Sequence, residues 1–303
     1  MRLFPRHAAI IALLLGSTPL FAQIDISGSW LPYNDSDPLS NNPGPRVYPL
    51  DFLGIPFNDL GRQRGYLYQG EQGSMPERIC AFYTPVYINI GPFGLKIWNE
   101  TEPRNGTTLA WHINGWEDRA PTTIWMDGRP HPSKYAPHPN GGFATGTWQD
   151  DVLVIYTTHM KAGQLRKSGA PASDDSTMVT RLFRHGDQLT MTSRIDDPYY
   201  LSEPYYLTRT FKLDPVASIR AVGPPCIQGD EGVPDEKVPH YLPGKNAAVG
   251  EFQKLYNIPA EASMGGPETM YPEFRKKLKD NYQIPEKCPR NCGGPGEYPL
   301  RGQ

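Results

Sequence analysis

Short runs of β-branched and aromatic residues, broken by glycine and proline, recur along the middle of the chain. Val86–Ile90 and Leu95–Trp98 flank Gly91-Pro92-Phe93-Gly94, which predicts a hairpin. Thr108–Ile113 and Thr122–Met126 are the next strand candidates. Gly146–Trp148 and Val152–Thr158 lie either side of a Gln149-Asp150-Asp151 turn and make a second hairpin. Met178–Arg184 and Gln188–Ile195 around His185-Gly186-Asp187 make a third, and Tyr205–Leu213 closes the series. Successive short strands joined by turns predict a mainly β protein, an antiparallel sheet curled into a barrel or sandwich. Within Met178–Arg184 the residues Val179, Arg181 and Phe183 share one face; within the last strand Tyr205, Leu207, Arg209 and Phe211 do so. An arginine set in an apolar face is either a solvated edge residue or a charge lining a cavity. The solvated case is the commoner, because unpaired buried charge is costly.

Ahead of the strands, Ser27-Gly28-Ser29-Trp30 is a short apolar element, and the stretch from Pro32 to Pro56 has the composition of a loop. Asn58 is placed to cap a helix running to about Gln69 and carrying Leu60, Arg64, Leu67 and Tyr68. Past Pro215 the composition changes: Cys226 to Gly244 is loop-like, and Asn246–Tyr256 and Pro272–Tyr282 predict helices. The chain therefore divides into a leader (1–22), a β-barrel domain (23–215) and a wrapping C-terminal extension with short helices (216–303). The leader has the cationic start of Arg2 and Arg6, an apolar run from Ala8 to Leu15 and a small residue, Ala22, at the point of cleavage. That is the pattern of a cleavable secretory signal, with cleavage after Ala22 and a periplasmic or secreted destination. The run is too short to span a bilayer, and no later stretch is longer, so stable membrane insertion is not expected.

Composition adjusts this picture in three ways. The 33 prolines and 30 glycines suit strands, turns and long loops better than helices. A formal charge of −2 gives no electrostatic reason to expect nucleic acid as a partner. The 4 cysteines, Cys80, Cys226, Cys288 and Cys292, are an even number in a chain read as exported, which favours disulfides over a metal site. Their connectivity is open among three pairings.

The densest group of reactive side chains lies between Trp125 and Asp175. His131 stands between two prolines just past a predicted strand, and His159 ends another; both are candidate acid–base groups, since imidazole titrates near neutrality. His159 alternates with Leu153, Ile155 and Thr157, which would aim it into a barrel. Asp127 is the candidate carboxylate to orient a histidine, although Asp-Gly is also an ordinary turn pair. Arg129 and Arg166 are candidates for holding a substrate anion by forked hydrogen bonds, with Lys161 beside them. Trp125 and Trp148 are candidate walls for a flat ligand. The histidines show no His-x-His or His-x-x-x-His spacing, so no metal ligand set is assigned. No Gly-x-Ser-x-Gly elbow, phosphate loop or dinucleotide fingerprint occurs, and no cofactor is expected.

Several blocks of the chain resemble a family of exported bacterial proteins of unassigned function. They are Asp25-Ile26-Ser27-Gly28-Ser29-Trp30, Met126-Asp127-Gly128-Arg129-Pro130-His131-Pro132, Gly142–Trp148, Thr157–Lys161, Asp196–Pro204 and His240–Asn246. The early Gly-x-Trp also resembles the opening of lipocalin-type (calycin) barrels, which implies a ligand cavity and not a particular reaction. Two functions follow as expectations. The first is a cofactor-independent enzyme of lyase, hydratase or isomerase type acting on a small aromatic molecule. The second is a non-catalytic binding or carrier barrel.

Overall fold

The computed structural model describes residues 24–33, 52, 54–67, 84–90, 94–115, 121–166, 169–217, 245, 250, 253–254 and 259–281. The leader, all four cysteines, the His240–Asn246 block apart from Lys245, and most of the predicted Asn246–Tyr256 helix lie outside these residues.

Nine strands close into one barrel. In chain order they are β1 (Gly28–Pro32), β2 (Leu95–Thr101), β3 (Thr108–Asn114), β4 (Thr122–Trp125), β5 (Phe143–Gln149), β6 (Val152–Thr158), β9 (Thr177–His185), β10 (Gln188–Asp196) and β11 (Tyr205–Leu213). Around the ring the order is β1-β11-β10-β9-β6-β5-β4-β3-β2. Between β6 and β9 a two-stranded ribbon, β7 (Gly163–Arg166) and β8 (Ala170–Ala172), stands apart from the barrel. The second and third predicted hairpins are present, joined through Asp150 (φ 51°) and Gly186 (φ 60°). Every neighbouring pair is antiparallel except β4 and β5, which run parallel with Ile124 opposite Ala144 and Trp125 opposite Thr145. The expectation of a wholly antiparallel barrel is thus corrected at one seam.

The Gly-x-Trp opening has a direct structural reason. β1 bridges β11 and β2, placing Trp30 opposite both Leu213 and Leu95. At Gly28 the backbone has φ 140°, which side-chain-bearing residues rarely adopt, and a Cβ there would lie 2.6 Å from a terminal methyl of Leu213, so the closure favours glycine. Trp30 is fully buried and its indole N–H donates to Ile26 O at 3.0 Å.

The inward side chains form two apolar clusters. One fills the end containing Trp30, Trp111, Leu182, Met191 and Phe211. The other, around Phe57, Tyr87, Met178, Ile195 and Leu207, continues into the segments packed over the opposite end. Between them β9 and β10 contribute Thr180 and Ser193, directly paired, with their hydroxyls 2.9 Å apart. The Asn89 amide donates to both at 3.2 Å. Asn89 belongs to α2 (Pro85–Ile90), a short helix where the β-branched run predicts a strand. Extended backbone suits Val86, Ile88 and Ile90 intrinsically. Here Pro85 opens a helix, a position it favours, and burial of Val86, Tyr87 and Asn89 overrides the local preference. Of the two arginines on apolar-looking faces, Arg181 is solvent-exposed outside the barrel, while Arg209 is 1% exposed inside it.

Helix α1 (Asp59–Tyr66) begins as its sequence predicts, with the Asn58 side chain accepting from Gly61 N at 2.9 Å. In the tail, α3 (Ala260–Ser263), a 3₁₀ turn (Pro267–Met270) and α4 (Pro272–Asn281) follow one another. The Tyr271 hydroxyl donates to Glu203 and attaches this segment to the loop after β10. No helix among the described residues is long and apolar enough to cross a membrane.

Asp197 ties the loops at that end together. Its buried carboxylate accepts from Ser173 N at 2.7 Å, Ser173 Oγ at 2.8 Å, Tyr199 N at 2.9 Å and Tyr200 N at 3.1 Å. Replacing Asp197 by Ala leaves buried donors unanswered and is expected to destabilise the fold by about 3 kcal/mol in urea titrations. Asp197→Asn should also destabilise, because whichever way the amide sits its NH2 faces a donor.

Candidate functional site

A parallel seam between consecutive strands forces the chain to travel back along the barrel before it can re-enter the sheet. Residues 126–142 make that return. The segment carries Pro130, Pro132, Pro137 and Pro139, which lack backbone donors and limit its own hydrogen bonding. Its side chains attach it to the barrel instead, along the outer faces of β5 and β6. On β5 the inward set is Ala144, Gly146 and Trp148, leaving Thr145 outward; on β6 Leu153, Ile155 and Thr157 point in, leaving Tyr156 and Thr158 outward.

His131 and His159 meet there through one threonine hydroxyl. His131 Nδ1 lies 2.7 Å from Thr158 Oγ1, and the same oxygen lies 2.7 Å from His159 Nδ1. At the outer ends, His131 Nε2 is 2.9 Å from Thr145 Oγ1, and His159 Nε2 is 2.9 Å from Ser133 O. The proton positions follow from one fixed point. A carbonyl oxygen only accepts, so His159 Nε2 carries a hydrogen, and in the neutral ring Nδ1 is then an acceptor. Thr158 must donate to it, which leaves the threonine oxygen to accept from His131 Nδ1–H. His131 Nε2 is therefore a lone-pair nitrogen facing the Thr145 hydroxyl. The four bonds form one directed chain, Thr145 to His131 to Thr158 to His159 to Ser133.

Backbone geometry and packing hold the chain in place. His159 has φ 53°, a left-handed conformation in which histidine is over-represented among side-chain-bearing residues, and this turn breaks the strand alternation. The ring therefore meets the crossover instead of continuing the inward row of Leu153, Ile155 and Thr157. His131 packs edge-on to Phe143 at 4.9 Å and against Tyr156 at 4.8 Å. His138 donates from Nδ1 to Met160 O at 3.0 Å, with its ring centroid 5.2 Å from that of His159. Partial burial, and secondarily His159, push the His131 pKa below the ordinary imidazole value.

The other candidates are distributed differently. Asp127 does not orient either histidine: Arg129 donates to it through Nε and Nη2 (2.9 and 2.6 Å), and this pairing lowers the Asp127 pKa to about 2. Arg129 also lies 3.7 Å from the Trp125 ring centroid, so its guanidinium is engaged on two sides. Trp125 itself stands beside Thr145 across the parallel seam, on the same outer wall. Trp148 packs inward against the core and is not at the site. Lys161 is exposed just past His159. Arg166 ends β7, and its side chain lies outside the described residues. Thr145, Thr158 and the Ser133 carbonyl complete the site without having been singled out in the sequence. The outward alternation of Thr145 and Thr158 beside the two histidines is the signal that would have found them. No group of three or more His, Cys, Asp or Glu among the described residues is arranged to hold a metal ion.

The fold and site together define a mixed nine-stranded β-barrel with a threonine-bridged histidine pair on its outer wall. Comparison with family models, with curated proteins and with solved structures finds no match for this chain.

The depressed His131 pKa has a stability consequence. The unfolded imidazole takes a proton near pH 6.5, above the folded one, so stability falls as pH drops below about 6.5 towards the folded value. His131→Gln should flatten the dependence of the melting temperature on pH in that window, and an unchanged slope would show that another group sets it.

Proposed function

We propose that this protein is a cofactor-independent acid–base catalyst, acting outside the cytoplasm on a small aromatic molecule by elimination, retro-aldol cleavage, hydration or isomerisation. The observation that carries the reading is the hydrogen-bond chain that leaves His131 Nε2 as the acceptor of the Thr145 hydroxyl on the outer wall, backed by a hydrogen-bonded second imidazole. A base must be neutral before it acts, and a pKa held below the ordinary imidazole value keeps it so at pH 7. Rotation of the Thr145 hydroxyl away from Nε2 would open the lone pair to a substrate proton. Trp125 and Tyr156, opposite Thr145 on either side, and Phe143 against His131 supply aromatic surface for a flat substrate. The export pattern of the leader and the resemblance to exported bacterial proteins support a compartment outside the cytoplasm.

A second reading is a binding protein that uses the same wall without turnover. It is favoured by the complete engagement of both nitrogens of both rings. A carrier that holds its ligand in the lumen has less support, since Trp30, Trp111, Met191 and Phe211 occupy it.

Incubating the purified protein with a panel of small aromatic hydroxy compounds, followed by mass spectrometry of depletion and of deuterium uptake from solvent, separates the two. Turnover should fall roughly 10²-fold or more in His131→Gln and His159→Gln. Equal turnover by wild type and His131→Gln would overturn the assignment of the base. Binding without depletion would leave the second reading.

A further inference from the structure

We propose that Thr158 joins His131 and His159 into one proton-accepting unit, which takes up a single proton by reversing its hydrogen-bond chain. This rests on the acid–base reading for its use, though not for its existence.

The donors and acceptors of the chain balance for one added proton. In the neutral pair the Thr158 hydroxyl donates to His159 Nδ1 and accepts from His131 Nδ1–H, both at 2.7 Å. Suppose a substrate C–H or O–H bond breaks and its proton forms a bond to His131 Nε2. The His131 Nδ1–H proton can then pass to Thr158 Oγ1 as the threonine proton passes to His159 Nδ1. The electron pair stays on the substrate, and the positive charge ends on His159, whose Nε2–H still donates to Ser133 O. His131 is left neutral with its hydrogen on Nε2, now donating to Thr145 Oγ1 in place of accepting from it. Every one of the four bonds survives with its direction changed or kept, and no heavy atom has to move. A second proton is different in kind. Both Nδ1 atoms would then be donors aimed at one oxygen, the Thr158 hydrogen would face neither ring, and two cations would stand one hydroxyl apart.

The surroundings leave this exchange to the pair. Phe143 and Tyr156 cover His131 from β5 and β6. From the crossover, His138 faces His159 and donates away from it to Met160 O. The other charged groups of these segments are Asp127 and Arg129, which neutralise each other, and Lys134 and Lys161, which are exposed.

Imidazole ¹⁵N NMR of the full protein tests this without a substrate. At pH 8 the wild type should show His131 as the Nδ1–H tautomer and His159 as the Nε2–H tautomer. On acidification both rings should respond in the same first step, with the His131 tautomer switching to Nε2–H while His159 gains charge. Thr158→Val, nearly isosteric without the hydroxyl, should uncouple the two titrations, and Thr158→Ser should restore them. A His131 ring that is Nε2–H at pH 8, or separate titrations in the wild type, would overturn the proposal; these readings need no variant to fold. For turnover, Thr158→Val should lose roughly 10²-fold and Thr158→Ser should recover most of it. Coupled titration in a protein that turns nothing over would sink the catalytic reading alone. Turnover unaffected by Thr158→Val would sink the bridge alone.

Discussion

The rest of the molecule follows from an odd number of strands. Strands that alternate up and down around a closed ring return to register only if their number is even. With nine, two neighbours must point the same way, and here they are β4 and β5. Parallel neighbours cannot be joined by a tight turn. The chain has to run back outside the barrel, and the returning segment is the one that carries His131, Ser133 and His138. The crossover therefore covers the outer wall of β5 and β6 because of a parity condition on the sheet, and the same condition explains why the candidate site lies outside the lumen.

Much of the barrel is legible in the sequence because each antiparallel hairpin is a local object. The β5–β6 and β9–β10 turns, β3, β11 and the Asn58 cap are all fixed by residues within a few positions of one another. The parallel seam is not local: nothing near Ile124 announces Ala144 as its neighbour. Helix α2 is misread for a related reason, since Asn89 finds its partners, Thr180 and Ser193, only once the barrel exists. At the site, the two histidines stand out by chemistry and by their places at strand ends. Thr145 and Thr158 look like any outward threonines until the crossover is laid over them. Asp127 reads as an orienter of histidine, yet Arg129, two residues on, offers a charged forked donor and takes both carboxylate oxygens.

The polar layer inside the barrel and the histidine chain outside it obey the same rule. A buried or half-buried polar atom is tolerated when its hydrogen-bonding capacity is met. Asn89, Thr180 and Ser193 meet it among themselves, each side chain having a partner among the other two and either hydroxyl able to donate to the other. Reversing that inner pair moves only hydroxyl hydrogens. The reversal proposed for the histidine chain takes up a proton, because its rings titrate.

The closure at β1 has a bearing on how the molecule is made. Trp30 and Gly28 emerge from the ribosome early, while Leu213, their neighbour on the far side, emerges after every other strand. Until they pair, β1 and β11 each have a bare edge, and the pairing that removes both is among the most distant in sequence. Such long-range closure slows folding and prolongs the time for which edges can pair with other chains. The residue that permits the closure, Gly28, is thus under kinetic as well as steric demand. A bulkier residue there would lengthen the interval in which the unfinished ring is open to aggregation.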